Sequence, residues 1–472
     1  MKLYATITVV LLVLGVHAGN GGKRQLPALG RPMREAFYMD PDFVQLNHGA
    51  YGTYPKVVGD ALREYQQRSE RNPDLWLRRD AKTELAKVRQ MLADLVNADS
   101  ADVVMVPNTT GGINAVFRSL VFAAGERILH LSSIYNSMGS IIQYLVDYSN
   151  GSLSKLVFDV TYPMSNEDFL LAFETFLNQT EDPAHPIRIA LIDHITSVPS
   201  IVNPIERIIP MLKQRNISVL IDGAHAIGQV PINITALQPD YYVTNCHKWL
   251  YAARGCALLY VDKKYQGEVH PAQINSGYSQ PANFQNEFFW TGTMDYSSYM
   301  TVPTALQFRR EAGGEDVIMK YNHDLAYNGG RRMAELFGTS IMQDEEQIGS
   351  MVDVRLPVNN PDDSKLDGEW WIDEQLYRHP NTFSSVYKHN GSWWVRVSAQ
   401  IYNDLSDFEL SAQHFLDICN ELNMNDQTTT TSTTTTSAST TTDNSNSASS
   451  NVIICLKLQF FTMVLVLISV WM

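Results

Sequence analysis

The fold is decided by residues 218–259, which read SVLIDGAHAIGQVPINITALQPDYYVTNCHKWLYAARGCALL. Three short apolar runs lie within or at the ends of this stretch, at residues 217–221, 241–243 and 257–261. Runs of this length bounded by polar residues are typical of buried strands in an α/β sheet. The first run ends in the motif DGAH at residues 222–225, and the second is followed by HKW at residues 247–249. Ligands of such sheets bind beyond the carboxyl ends of the strands, so we expect Asp222 and Lys248 to face one site.

An acid and a lysine at one sheet edge suit pyridoxal 5'-phosphate. The lysine can form a Schiff base with the aldehyde, and the acid can keep the pyridine nitrogen protonated so that the ring withdraws electrons. Each residue alone also has an ordinary structural interpretation, because Asp222 could cap a turn and Lys248 could lie in solvent. The cofactor hypothesis therefore requires a phosphate site, a group that stacks on the ring and an anion-binding group elsewhere in the chain.

Three further segments can supply those groups. PNTTGGINA at residues 107–115 joins a predicted strand to a helix N-terminus, where free N–H groups bind phosphate. An ordinary N-cap is the alternative interpretation. Tyr135 follows the next predicted strand and could lie over a ring. Arg396 is flanked by apolar residues in WVRVS at 394–398, so it needs an anionic partner, either a substrate carboxylate or a structural salt bridge.

The rest of the chain alternates between predicted strands and helices from Asp102 onward, which indicates a mostly parallel sheet covered on both faces. After Pro303 the alternation weakens, and a smaller α/β domain is expected there. The predicted segments are an N-terminal arm at 19–50, a large cofactor-binding domain at 51–303 and a small C-terminal domain at 304–424.

Both ends of the chain resemble targeting segments. Residues 1–18 fit a signal peptide, because a basic residue precedes a short apolar run and small residues follow it. Residues 425–450 form a Ser/Thr-rich stalk, and residues 451–472 form an apolar tail. The tail fits either a glycosylphosphatidylinositol (GPI) anchor signal or a C-terminal transmembrane helix. We therefore expect a protein of the secretory pathway, held on the extracellular face of the plasma membrane. Six N-glycosylation sequons agree, at Asn108, Asn150, Asn178, Asn216, Asn233 and Asn390.

Composition excludes some function classes. The formal net charge of −14 argues against a nucleic-acid partner. The four cysteines, Cys246, Cys256, Cys419 and Cys455, have no metal-ligand spacing, so no metal site is expected. We expect the first two to be buried free thiols.

The order of the motifs resembles the class V aminotransferase group of fold-type I pyridoxal-phosphate enzymes, and most closely its isopenicillin-N-epimerase-like branch. The resemblance covers about residues 45–422 and rests on the phosphate loop, Tyr135, HITS at 194–197, DGAH, HKW, TGTMD at 291–295 and VRVS at 395–398. It implies a large, mostly parallel seven-stranded sheet domain and a small C-terminal α/β domain. It also implies a homodimer in which the subunits share their active sites.

The resemblance implies a role for each matching residue. Lys248 would be the Schiff-base lysine, Asp222 the partner of the pyridine nitrogen and His225 a neighbour of the phenolic oxygen. Tyr135 would stack on the ring, and Ser197 would add a polar contact. Phosphate contacts would come from Thr109, Thr110, Gly111 and His247, with Thr293 reaching the phosphate of the neighbouring subunit. Arg396 would bind the carboxylate of a small amino-acid substrate, and Asn47 and His48 would line the substrate entrance.

Several reactions at Cα remain open. Residues 301–417 contain no cysteine, which argues against sulfur transfer to a loop thiol. An epimerase or a lyase that cleaves a C–S bond is the first prediction, and an aminotransferase is the alternative. Epimerisation would need a second base, for which Tyr135 and His48 are candidates. A catalytically retired surface binding glycoprotein is the competing class. Intact Asp222, His247, Lys248 and Arg396 argue against it, because drift would readily erase one of them.

Overall fold

The computed structural model describes residues 26–278, 284–359 and 366–432, with side chains as far as residue 423. The strands are β1 (Val44–Gln45), β2 (Val103–Val106), β3 (Arg127–Leu131), β4 (Ser154–Phe158), β5 (Ile187–Asp193), β6 (Ser218–Asp222), β7 (Tyr241–Asn245), β8 (Ala257–Val261), β9 (Met351–Arg355), β10 (Thr382–Phe383), β11 (Ser385–His389) and β12 (Ser392–Ser398). Seven of them form the main sheet in the order β2-β8-β7-β6-β5-β3-β4. Five neighbours, β7 to β4 in that order, are parallel, whereas β8 runs antiparallel to both β2 and β7.

Helices cover both faces of this sheet and the second, smaller sheet. They are α1 (His48–Tyr51), α2 (Lys56–Arg71), α3 (Pro73–Leu75), α4 (Ala81–Val96), α5 (Thr109–Ser119), α6 (Asn136–Tyr148), α7 (Asn166–Gln179), α8 (Ile205–Lys213), α9 (Ile234–Leu237), α10 (Phe284–Phe289), α11 (Ser297–Met300), α12 (Val302–Glu311), α13 (Glu315–Phe337), α14 (Gly368–Arg378) and α15 (Leu405–Ser432). One apolar core lies under α4, α7 and α8, and a second lies under α5 and α6. The sheet is therefore buried on both sides, as the unbroken apolar runs of its strands require.

The C-terminal part of the described chain is built on a three-stranded antiparallel sheet in the order β11-β12-β9. Residues of α13, α14 and α15 join these strands in a separate apolar core. The predicted fold, a large mostly parallel sheet with a small C-terminal domain, is confirmed. The predicted boundary between residues 303 and 304 falls within α12, and the exact domain limits stay predictions.

Sequence analysis missed three strands, the helix α14 and the short helices α1, α3, α9, α10 and α11. β9 escaped because Asp353 interrupts its apolar pattern; Asp353 is nevertheless buried and accepts hydrogen bonds from the N–H and hydroxyl of Ser200, both at 2.7 Å. The short β10, the partly polar β11 and α14 were also missed. Of the helices whose side chains are all described, the longest that packs on the small sheet is α13, which begins at Glu315 and ends at Phe337.

The predicted targeting segments fall outside the described residues for the most part. The signal peptide at 1–18 and the tail at 451–472 lie wholly outside them, and so does the stalk from residue 433 on. Within the described part of the chain, no helix has the length and apolar character needed to cross a bilayer.

Candidate active site

A cavity of about 430 Å³ opens at the carboxyl ends of β5, β6 and β7, beside β11 and β12 of the small sheet. Eight predicted site residues line it: Thr109, Thr110, Tyr135, Ser197, Asp222, His225, Lys248 and Arg396. Five predicted residues do not line it: Gly111, His247, Thr293, Asn47 and His48. The cavity therefore brings together the lysine, the acid and the arginine that the sequence separates widely.

Lys248 lies in the turn that follows β7. Its Nζ is 3.1 Å from His225 Nε2. Burial, which removes water from the ammonium group, lowers the pKa of Lys248 to about 7, and the charge of Arg396 adds to this effect while Asp222 opposes it. A substantial fraction of the amine is therefore unprotonated near neutral pH, which is the form that attacks a carbonyl carbon.

His225 is buried and orients toward the lysine. Trp249 Nε1 donates to its Nδ1 at 3.4 Å, so Nδ1 is the acceptor and Nε2 carries the hydrogen of a neutral ring. Burial is the main cause that holds the pKa of His225 well below its usual value, followed by the charge of Lys248. A neutral Nε2–H beside Lys248 can donate to the lone pair of an unprotonated amine.

Asp222 ends β6 and is buried. Its Oδ1 accepts from the Ala224 N–H at 2.9 Å, and no cationic side chain forms an ion pair with it within the described residues. Burial raises the pKa of Asp222 to about 6, although the Ala224 N–H and Lys248 lower it. A cationic ring nitrogen bound here would stabilise the ionised carboxylate, so the site is complementary to a pyridinium.

The other end of the cavity has the features of a phosphate site. Asn108 Oδ1 caps α5 by accepting from the Gly111 N–H at 2.8 Å, and the Thr109 N–H donates to Asn245 Oδ1 at 2.9 Å. The Thr109 hydroxyl is buried without a hydrogen-bond partner. This unsatisfied hydroxyl at a helix N-terminus is suited to an anion. His247 lies outside the cavity lining, and its Nδ1 bonds the Cys256 carbonyl at 2.9 Å.

Arg396 lies in the middle of β12 and is 2% exposed. Its Nη1 donates to the Ser197 carbonyl and its Nη2 to Asn47 Oδ1, both at 2.8 Å, while Nε is buried without a partner. No carboxylate of the described chain forms an ion pair with it, although Asp353 is its neighbour on β9. The structural salt bridge considered above is therefore not formed within the described residues, and the guanidinium is left available to an anion bound in the cavity.

Two residues expected at the substrate entrance are placed differently. His48 was expected at the substrate entrance and as a candidate base, but its ring is fully buried and both nitrogens are bonded, Nδ1 to the Tyr402 hydroxyl at 2.8 Å and Nε2 to the Lys248 carbonyl at 3.0 Å. Asn47 contacts Arg396 instead of lining the cavity. Thr293 is exposed and lies outside the cavity of its own chain.

Sequence analysis missed five polar residues of the cavity wall: Tyr51, Asp193, Asn245, Ser385 and Tyr387. Asp193 ends β5 directly opposite Asp222, so the strand-end rule that found Asp222 could have found it. Asn245 was missed because β7 continues two residues beyond the apolar run. Ser385 and Tyr387 lie on β11, a strand with no clear apolar signal.

These residues fit pyridoxal phosphate. The amine of Lys248 can bond the aldehyde, Asp222 can pair with the ring nitrogen, and the unsatisfied Thr109 hydroxyl and the α5 N-terminus can hold the phosphate. Gly111 leaves room beside that helix end, since a Cβ there would approach nothing closer than Asn108 Oδ1 at 3.5 Å.

Comparison with known proteins agrees with this fit. The family model described as Aminotransferase class-V matches residues 46–366. An L-cysteine desulfhydrase-like protein of Epichloe uncinata is 30% identical over 440 residues, which cover 83% of this chain and 96% of that protein. A hercynylcysteine sulfoxide lyase of Schizosaccharomyces pombe is 28% identical over 398 residues, which cover 83% of this chain and 98% of that protein. The solved complex of the cystine C–S lyase C-DES with cysteine persulfide has a TM-score of 0.68 at 18% identity, covering 79% of this chain and 97% of that one, which supports the fold.

Proposed function

Because the chain belongs to the aminotransferase class-V family and is a pyridoxal-phosphate-dependent enzyme, we propose that it cleaves the C–S bond of a cysteine-like amino acid by elimination. The carrying observation is the cavity that Lys248 and Arg396 both line, in which the pKa of the Lys248 amine is lowered to about 7 and the Arg396 guanidinium has no ion pair with a carboxylate of the described chain. The desulfhydrase-like and lyase relatives favour sulfur-containing substrates. With L-cysteine, the overall reaction consumes water and releases hydrogen sulfide, ammonia and pyruvate.

The side chains of this site would divide the work. Arg396 would hold the substrate carboxylate and so direct the Cα–H bond toward Lys248. The bound cofactor withdraws electrons from Cα, and Asp222 sustains this by keeping the ring nitrogen protonated. Lys248 Nζ would take the Cα proton, since its pKa of about 7 makes it a base at neutral pH. His225 would keep the amine oriented through the 3.1 Å contact.

Release of sulfur to solvent is preferred over transfer to the enzyme. No cysteine lines the cavity among the described residues. Cys246, Cys256 and Cys419 are buried, and burial raises the pKa of the Cys256 thiol well above its usual value. A buried, protonated thiol is a poor acceptor of sulfur.

The test is an assay of the purified full chain, loaded with pyridoxal phosphate, against L-cysteine and other amino acids. We expect equal amounts of sulfide and pyruvate, and no products from the matched Lys248→Ala variant. Racemised substrate would identify an epimerase instead, for which the isopenicillin N epimerase of Amycolatopsis lactamdurans, 27% identical over 59% of this chain, is a relative. A keto acid formed without sulfide would identify an aminotransferase. A protein that binds the cofactor but converts nothing would favour a retired enzyme.

A homodimer with shared active sites is also proposed. Thr293 is exposed and lines two surface grooves with residues of α2, α3 and the segment after α10, away from its own cavity. This placement agrees with a contact to the phosphate of a second subunit. Mixed dimers of one Thr293→Ala chain and one Lys248→Ala chain test it. If Thr293 acts in the site of the other subunit, one site carries both substitutions and the other carries neither, so one site stays fully active. A monomer in sedimentation at working concentration would contradict the proposal.

We further propose that the protein enters the secretory pathway and stays on the cell surface through its C-terminal tail. The sequons at Asn150, Asn216 and Asn390 are exposed, and all three lie in turns with positive φ, so attached glycans would point into solvent. Expression in a secreting cell, followed by treatment with phosphatidylinositol-specific phospholipase C, tests the proposal. Release of the protein supports a GPI anchor, retention supports a transmembrane tail, and a cytosolic protein without glycans contradicts secretion.

A further inference from the structure

Two consecutive residues near the N-terminus contact the two charged residues of the site. Asn47 Oδ1 accepts from Arg396 Nη2 at 2.8 Å, and His48 Nε2 bonds the carbonyl of Lys248 at 3.0 Å. Both side chains are buried, and neither lines the cavity. They contact the Arg396 side chain and the Lys248 backbone from outside the cavity lining.

The protonation of His48 follows from its partners. The Lys248 carbonyl can only accept, so Nε2 carries the hydrogen and Nδ1 accepts from the Tyr402 hydroxyl at 2.8 Å. Burial lowers the pKa of His48 to about 4, and the ring stays neutral at neutral pH. The charged groups that act on it, Arg254, Arg309 and Lys248, lower the pKa further. His48 is therefore a permanent donor to the lysine backbone.

The surrounding contacts fix this segment tightly. A Cβ on Gly49 would lie 2.6 Å from Met351 Sδ, and a Cβ on Gly52, which has φ +64°, would lie 2.1 Å from the His247 carbonyl oxygen. The Ser398 N–H donates to the Leu46 carbonyl at 2.7 Å. The segment thus lies directly against the lysine turn on one side and against β12 on the other.

The next peptide of the lysine turn is held in the same way. Arg309, fully buried and paired with Glu315, donates to the Trp249 carbonyl at 2.7 Å. Two successive carbonyls of the turn, those of Lys248 and Trp249, are therefore held by buried side chains from outside it. An amine on a flexible four-carbon chain needs a fixed backbone to stay in register with a bound aldehyde.

We propose that Asn47 and His48 are positioning residues: His48 fixes the backbone of Lys248 for attachment of the cofactor, and Asn47 orients Arg396 for the substrate carboxylate. This rests on the roles proposed above for Lys248 and Arg396. It replaces the expectation that both residues line the substrate entrance. Each residue should affect one end of the site and not the other.

The test of His48 is a titration of the full-length apoprotein with pyridoxal phosphate, followed by the absorption of the bound cofactor. We expect His48→Leu and His48→Asn, which is too short to reach the carbonyl, to raise the half-saturating concentration about tenfold. His48→Gln, which can donate to the same carbonyl, should restore most of the affinity. Tyr402→Phe is the matched control, because it removes the other bond of the ring and should leave cofactor affinity nearly unchanged.

The test of Asn47 compares two amines that change the absorption of the cofactor, L-alanine with a carboxylate and ethylamine without one. Asn47→Ala should raise the half-saturating L-alanine concentration about tenfold while ethylamine and cofactor affinity stay unchanged. Ser385→Ala, which removes a weaker 3.5 Å contact to Arg396, should have a smaller effect.

Three results would overturn the inference: wild-type cofactor affinity in both His48→Leu and His48→Asn, a loss in Tyr402→Phe as large as in those variants, or equal effects of Asn47→Ala on the two amines. These readouts need neither sulfide nor pyruvate. Failure of the proposed C–S cleavage would therefore leave them interpretable.

Discussion

The two charged ends of the cavity are built in different ways. The lysine end comes from one continuous stretch, in which Asp222, His225 and Lys248 follow neighbouring strands of the main sheet. The arginine end is assembled from distant segments, since Arg396 on β12 bonds Asn47 and the carbonyl of Ser197. The residues around Lys248, the proposed base, are thus close to one another in sequence. Arg396, proposed to bind the substrate, is instead held by residues that are distant in the chain.

Their electrostatics differ as well. Burial lowers the pKa of Lys248 to about 7, so this amine can lose its charge near neutral pH. Burial also lowers the pKa of Arg396, but a guanidinium remains charged at any physiological pH. One end is therefore suited to proton transfer and covalent chemistry, and the other to holding a permanent anion. The variants below separate these two functions.

The largest effect is expected from Lys248→Arg, which keeps a cation but removes the nucleophilic amine. We expect the C–S cleavage rate to fall at least about 10⁴-fold, because both the covalent link and the proton transfer are lost. Borohydride reduction followed by mass spectrometry should then find no cofactor attached to the protein. Turnover at a tenth of the normal rate would show that the lysine end does not carry the chemistry.

Arg396→Gln should give the next largest effect, confined to the binding end. Loss of a buried, charge-assisted carboxylate contact should lower kcat/KM for L-cysteine by about 10²–10³-fold. Cofactor affinity and the absorption of the bound cofactor should be nearly unchanged. Arg396→Lys, which keeps the charge but not the two-pronged geometry, should fall between. An equal loss of cofactor affinity would show that the two ends are not separable.

Stability of the apoprotein should reveal the buried amine through its pH dependence. Lys248 has a folded-state pKa of about 7, well below its usual value, so the unfolded chain binds the extra proton between about pH 7 and 10. Unfolding free energy should therefore rise with pH in that window. In Lys248→Met this rise should be absent. The free energy of unfolding of the variant should be higher than that of the wild type by on the order of 2–4 kcal/mol at pH 6, and nearly equal to it at pH 10. Urea unfolding at both pH values measures it; a constant difference would contradict the shifted pKa.

The smallest effect is expected from Asp193→Asn. Burial and the neighbouring charge of Asp222 hold the pKa of Asp193 well above its usual value, which favours the neutral carboxyl that an amide resembles. Activity and cofactor affinity should change by less than about threefold, whereas the matched Asp222→Asn should lower activity at least about 10²-fold. If Asp193→Asn were as damaging as Asp222→Asn, Asp193 would be the ionised partner of the ring nitrogen.

The lysine end was predictable because its signals are local. A parallel sheet delivers strand ends to one edge, so apolar runs followed by Asp222 and by Lys248 were enough to place both residues at one site. The same rule applied to β5 would have added Asp193. The α5 N-terminus was predictable for a similar reason, since a capping residue, Asn108, follows a short apolar run and precedes the helix.

The sequence pointed to Arg396 as an anion-binding residue, but it did not show which anion this residue binds. The apolar flanks of Arg396 predicted a need for an anion, yet the choice between a salt bridge and a substrate depended on where Asp353 and its hydrogen bonds lie. Strand β11, which supplies Ser385 and Tyr387, has too little apolar pattern to be found.

By itself, then, the sequence determined the fold class and the fact that Asp222 and Lys248 follow neighbouring strands and share one cavity. These features depend on periodicity and on the short distance between the two residues in the chain. Only the tertiary structure decided that His48 holds a backbone carbonyl instead of lining the entrance, and that no carboxylate of the described residues pairs with Arg396. Those facts depend on segments about 200 and 350 residues apart in sequence, whose meeting is set by packing and leaves no local pattern.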